Sequence, residues 1–165
     1  IRRQRQMCIR DSSETPIAQA KEYLDAKGVK YIEKTGNTTD EVLSAASELA
    51  ERCDAVFTPT DNVVMAAESA VAEILNEAGV PHYTGADSFV YSGAFTTCGV
   101  NYTELGEKTA EMAFDILLGG EIPAYKVMDG GIITVNTEVA AKLGIDYSAF
   151  NDMANTVIEV VTSEE

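Results

Sequence analysis

The sequence predicts an α/β domain built on a mostly parallel sheet. Three features point there. Short β-like runs such as residues 54–58 alternate with helical stretches such as residues 62–75. Capping residues and glycines mark the boundaries between them, and the segments that follow the strand-like runs are rich in Ser, Thr, Asn and Asp. Strands separated by helices of roughly ten to fifteen residues form βαβ units, and these stack into a parallel sheet with right-handed crossovers.

The elements follow in order. Thr15-Pro16 reads as an N-cap followed by an N1 proline, after which Ile17, Ala20, Tyr23 and Leu24 recur at helical spacing up to Gly28. Residues 29–32 alternate as a short strand. Thr38, with Glu41 three residues on, forms a capping box, and Val42, Leu43, Ala46 and Leu49 carry that helix to Arg52. After the strand at 54–58, Pro59-Thr60-Asp61 turns into a long helix with Val64, Ala67, Ala70, Val71, Ile74 and Leu75, stopped by Gly79-Val80-Pro81. Residues 82–84 form a brief strand leading into Gly85-Ala86-Asp87. Phe95 to Val100 reads as a strand. Asn101 to Leu118 reads as an amphipathic helix with Leu105, Ala110, Ala113, Phe114 and Leu117 inward, closed by Gly119-Gly120. Residues 125–128 and 132–135 read as strands around Asp129-Gly130-Gly131, a hairpin signal. Asn136 caps a short helix over 137–142. Beyond Tyr147 the pattern weakens, and residues 156–161 suit a strand or an ordered extension.

One segment breaks the pattern. A parallel lobe opens with a buried apolar strand, but residues 1–12 read IRRQRQMCIRDS. They are expected to be foreign to the fold or unfolded; a basic surface arm is the alternative. They hold Arg2, Arg3, Arg5 and Arg10 against Asp11 alone, which leaves 8 basic and 26 acidic residues, a net charge of −18, for everything after them.

Composition bounds the function. The chain has 165 residues, 45% of them hydrophobic, enough for one domain with a real core. It contains no apolar run of about 18 residues, the length that spans a bilayer. The net charge of −15 repels phosphate backbones, so no nucleic-acid partner is expected. Cys8, Cys53 and Cys98 show no CxxC spacing, and Cys53 and Cys98 read as small apolar core residues. His82, the only histidine, reads as structural, and a single histidine rules out a His-His metal cluster. No GxGxxG, GxxxxGK[ST] or GxSxG motif is present. No cofactor, metal or catalytic residue is expected.

What remains is a binding chemistry. In open parallel sheets ligands bind beyond the carboxyl ends of the strands, where loops feed into helix N-termini. The loops in that position are Ser12 to Thr15, Gly36 to Thr38, Thr58 to Asn62 and Gly85 to Ser88. Asp61 has two roles open to it, capping its helix or holding a ligand ammonium. Asp87 follows the next strand and lines the same rim. Two carboxylates with hydroxyls and helix N-termini between them suit a zwitterion, the ammonium meeting Asp and the carboxylate meeting hydroxyls and N–H groups. Tyr102 either stacks on the ligand or joins the core.

Residues 54–62, DAVFTPTDN, resemble a segment of ABC-transporter substrate-binding proteins related to the tryptophan- and tyrosine-binding lipoproteins. Residues 92–106 (SGAFTTCGVNYTELG), residues 113–119 with Pro123, and residues 135–145 (VNTEVAAKLGI) resemble further segments of that family in the family's order. Ser12-Ser13-Glu14 sits where the family has a serine-rich loop, although Pro16 is displaced and the preceding strand is missing. The similarity covers about residues 12–147.

The resemblance implies a type 1 periplasmic-binding fold, in which two Rossmann-like lobes, joined by three crossovers, hold a ligand between them. The chain is then expected to be a C-terminal fragment with the first lobe largely absent. Residues 13–94 would form the second-lobe α/β domain, 95–120 a strand and helix belonging to the missing first lobe, 121–147 a return to the second, and 148–165 a tail. The ligand contacts implied are Thr60, Asp61, Asp87 and Asn101, with Thr58, Ser13 and Glu14 beside them. The activity implied is that of a non-enzymatic, extracytoplasmic solute receptor of an ABC importer. It would take a small zwitterion, an aromatic or apolar amino acid, and deliver it to an ABC permease. Its only membrane attachment would be a lipid-bearing N-terminal anchor. Two rivals share the fold class: a ligand-sensing domain of a transcription regulator or two-component receptor, and an α/β enzyme, which needs a catalytic group the sequence does not present.

Overall fold

The computed structural model describes residues 3–7, 14–100, 102–121 and 131–163. Its strands are β1 (Arg3–Met7), β2 (Lys30–Lys34), β3 (Ala55–Thr58), β4 (His82–Thr84), β5 (Thr96–Gly99), β6 (Ile132–Asn136) and β7 (Thr156–Val160). They form one sheet in the order β2-β1-β3-β4-β5-β6-β7. Neighbours are parallel except β5 and β6, which are antiparallel, so β6 and β7 run against the first five strands. The helices are α1 (Glu14–Ala26), α2 (Thr39–Ala50), α3 (Asn62–Glu77), α4 (Asp87–Tyr91), α5 (Tyr102–Leu117), α6 (Thr137–Leu143) and α7 (Phe150–Met153). The α/β class with a parallel-dominated sheet is as the sequence predicts.

Local chemistry explains the boundaries. α1 begins at Glu14, so Pro16 lies inside the first turn, where a missing N–H breaks no helical hydrogen bond. Thr38 caps α2 by accepting from Glu41 N at 3.3 Å, while Glu41 Oε2 reaches back to Asn37 N at 2.7 Å. The box therefore closes on the residue before the cap. β2, an edge strand, carries Lys30, Glu33 and Lys34, charges that discourage edge-to-edge pairing. Lys34 and Arg52 both contact Glu48, at 2.5 and 2.6 Å, and the hydrogen bond from Lys34 holds that carboxyl below its ordinary range. α6 ends on Gly144 at φ 66, the left-handed conformation that favours glycine.

Three expectations change. The backbone of Arg3–Met7 is a strand between β2 and β3, paired with both, so the expectation of an unfolded start does not hold there. Without it those two strands would leave unpaired N–H and C=O groups facing each other. β5, expected with the absent first lobe, belongs to this sheet, because its ladder groups are taken by β4 on one side and β6 on the other. The expected tail contains α7 and β7, and Ser163 N donates to Tyr91 O at 2.9 Å. Tyr147 also ties to β7: its phenol donates to Glu159 at 2.9 Å, a bond that raises the phenol above its usual range. The expected strand at 125–128 lies outside the described residues.

The core has two parts. Val42, Leu49, Val56, Val71, Leu75 and Phe89 pack between α2, α3, α4 and the sheet. Phe95, Val135, Val139 and Ala140 pack with Tyr83 and Phe150. The expected inward face of α5 is bare: the helix buries none of its described residues, and Phe114 and Leu117 are 61% and 83% exposed.

A pair of substitutions tests this division. Phe89→Ala, at a residue 1% exposed, is expected to cost about 3–5 kcal/mol in urea unfolding. Leu117→Ala is expected to stay within about 0.5 kcal/mol. Equal losses at the two sites would refute the assignment of core and surface.

Candidate ligand-binding site

β3, β4 and β5 end on one rim because they are parallel and in register: Thr58 lies beside Thr84, and Thr84 beside Thr97. Past those ends the chain turns into helices whose first N–H groups lack helical partners. At α3 the partner is Asp61, whose Oδ1 accepts from Val63 N at 2.8 Å and Val64 N at 3.1 Å. The loop that carries Asp61 packs on the next one. A Cβ on Gly85 would lie 2.7 Å from Thr60 Oγ1 and 2.8 Å from Thr60 N, so only a residue without one admits this approach.

A cavity of about 360 Å³ opens on this rim. Gly85, Ala86 and Asp87 enter it from the loop after β4, and Thr97, Gly99 and Val100 from β5 and its end. Tyr102 and Thr103 come from the first turn of α5. The reversed strands close the far side: Ile132 and Thr134 from β6, and Ile158 from β7. Its size is that of a small-molecule site. The chemistry is mixed, with one carboxylate, several hydroxyls, an aromatic ring and branched aliphatic walls. The threonine floor is locked by its own bonds: Thr97 Oγ1 donates to Thr84 O at 2.7 Å, and Thr84 Oγ1 donates to Ala86 O at 3.1 Å.

The structure brings some of the expected residues together. Asp87 is half-buried and lines the cavity. Thr60 is exposed and reaches the cavity's edge through Gly85. Asp61 is buried and acts as the cap of α3. Thr58 is buried, its hydroxyl 2.9 Å from His82 Nε2 in the core. Ser13 and Asn101 lie outside the described residues, and Glu14 begins α1. Tyr102 is 56% exposed and on the cavity wall, so it does not join the core. Thr97, Thr134, Ile132 and Ile158 were not singled out by sequence. Their only signal is β-alternation, which does not tell which strands meet.

A second cavity, about 280 Å³ and mainly apolar, lies against Phe57, Tyr83, Cys98, Ile133, Phe150 and Met153. Strand alternation puts it on the face opposite Val56 and His82. Burial raises the Tyr83 phenol above its ordinary range, and its ring meets Phe95 edge-on at 5.6 Å. Cys98 opens to this side and is exposed, which corrects its reading as a core residue. Cys53 packs against the α2–α3 core as expected. Among the described residues no helix is long and apolar enough to cross a membrane.

Comparison with known proteins fits this geometry. The family model for ABC transporter substrate binding protein matches residues 8–155. The tyrosine-binding protein of Clostridioides difficile (strain R20291) is 30% identical over 125 residues, 74% of this chain and 36% of the relative. The ligand-free, open structure of a substrate binding protein with adhesive properties from Clostridium difficile superposes with a TM-score of 0.77 at 29% identity, covering 98% of this chain and 55% of that one. An ABC domain from Streptococcus pneumonia, solved in complex with L-Trp, shares the fold with a TM-score of 0.78 at 22% identity, over 94% of this chain and 55% of that one. The chain thus spans about a third to just over half the length of these relatives. The fold is that of the periplasmic-binding proteins, and the chain belongs to the ABC transporter substrate-binding protein family.

Proposed function

We propose that this chain supplies one wall of the ligand cleft in a receptor for an aromatic or apolar amino acid. The observation that carries the reading is the rim cavity, in which the Asp87 carboxylate faces apolar walls from Ile132, Ile158 and Tyr102. The substrate ammonium pairs with Asp87 through a charge-assisted hydrogen bond. Its side chain lies along the two isoleucines and the Tyr102 ring. Its carboxylate takes a donor from Thr60 and lies towards the N-terminal end of α5, whose dipole favours negative charge. The tyrosine-binding relative, at 30% identity, supports an aromatic amino acid over a sugar.

The receptor is a carrier and turns nothing over. Ligand bound at the rim favours closure against a facing surface, and the closed shape is what an ABC permease accepts for import. It works outside the cytoplasm, held at the membrane by a lipid anchor. The family resemblance adds Asn101, Ser13 and Glu14 as further contacts, and Asp61 acts mainly through the loop it holds.

Three measurements on a protein containing residues 1–165 test this reading. L-tyrosine or L-tryptophan at about 100 times Kd is expected to stabilise the folded state by about 2.7 kcal/mol in thermal-shift experiments. Stabilisation by sugars alone would sink the amino-acid assignment. Asp87→Ala should weaken binding about 10- to 100-fold by calorimetry, the worth of one charged hydrogen bond, and an unchanged Kd would remove Asp87 from the site. Gly85→Ala should lower affinity by forcing Thr60 away, with the far-UV spectrum preserved; affinity equal to the parent's would show that the close approach of the two loops is unimportant.

A further inference from the structure

Three polar side chains lie buried beneath the rim. Glu68 of α3 is 1% exposed, and His82 of β4 and Thr58 of β3 are 0% exposed. His82 Nε2 is 2.9 Å from Thr58 Oγ1, and His82 Nδ1 is 3.0 Å from Glu68 Oε1. The second contact is close but poorly directed: neither Glu68 oxygen nor His82 Nδ1 completes a hydrogen bond among the described residues. The neighbours of Glu68 along the helix, Ala67, Val71 and Ala72, are buried and apolar. A carboxyl group in such surroundings costs stability unless something compensates it, and apolar residues of similar volume usually pack there better.

We propose that Glu68 and His82 are positioning residues for the rim. Glu68 holds the His82 proton on Nδ1, leaving Nε2 to accept the Thr58 hydroxyl, and so clamps the end of β3 from which the Pro59–Asp61 loop departs. In a neutral imidazole one nitrogen donates and the other accepts, so a carboxylate facing Nδ1 selects the tautomer. The clamp closes a circuit. Thr58 stands three residues before the cap of α3, and Glu68 stands two helical turns after it. The loop is therefore fixed at its strand end by the imidazole and at its helix end by the Asp61 cap. The proposal depends on the ligand reading only for the use made of the loop, and the order of the loop is measurable without ligand.

His82 is the only histidine, so its imidazole gives a single, unambiguous set of 15N resonances. The parent protein is expected to show the proton on Nδ1. Glu68→Leu should release that tautomer and speed amide exchange at Val63 and Val64 about tenfold, with Val71 and Leu75 in the same helix unchanged. The double variant with His82→Val guards against simple loss of folding. It should keep a Tm near the parent's while Val63 and Val64 still exchange fast. A parent proton on Nε2, unchanged exchange at Val63 and Val64, or acceleration spread evenly along α3 would each overturn the proposal. The expected tautomer and local exchange in a protein that binds no amino acid would uphold the clamp and remove the ligand reading instead.

Discussion

The rim depends on how the first turn of α3 disposes of its free N–H groups. A helix start pressed against a sheet cannot leave donors unpaired without a penalty of about 1–3 kcal/mol each. Asp61 removes two of them with one oxygen, which fixes where α3 begins and how it lies over β3. Its burial follows from that task. The pairing of roles read from the sequence, two carboxylates meeting one ligand, therefore resolves into a division of labour. Asp61 builds the rim, and Asp87, half-buried at the start of α4, is left to face the cavity.

Strand direction supplies the rest of the site. Five parallel strands offer one rim of loops, a shallow feature. The antiparallel entry of β6 beside β5 puts Ile132 opposite Gly99, and β7 then follows β6 in parallel. Both reversed strands start where the first five end. Their early residues, Ile132, Thr134 and Ile158, become a wall for the cavity. Asn136 holds this arrangement at the other end of β6. It is fully buried, caps α6 with its oxygen, and donates its amide to Val90 O and Thr162 Oγ1, each at 3.0 Å. One side chain so joins β6, α4, α6 and the chain beyond β7.

The sequence made the caps legible because their chemistry is local. Thr38, Asp61 and Asn136 each sit one residue before a helix, as read. α4 was not legible, since five residues are too few to show a helical period. β1 was not legible because RQRQM holds none of the β-branched or aromatic residues enriched in strands, and it is pairing on both sides that makes it one. At the site, Asp87 was readable from its place after a strand. Thr97, Thr134 and Ile158 were not, because Thr134 and Ile158, 37 and 61 positions beyond Thr97, come near it only through sheet order. His82 was read as structural, and its burial between Thr58 and Glu68 agrees with that.

The bare face of α5 has a consequence for how copies of this chain meet in solution. Phe114, Leu117 and Leu118 are all largely exposed and lie at i, i+3 and i+4, a contiguous apolar stripe. The rest of the molecule carries strong negative charge, −15 in all. At low ionic strength that charge keeps stripes apart. At physiological salt the screening length falls to about 8 Å, while apolar attraction is not screened. Rising salt therefore weakens the repulsion between copies and leaves the apolar character of the stripe unscreened.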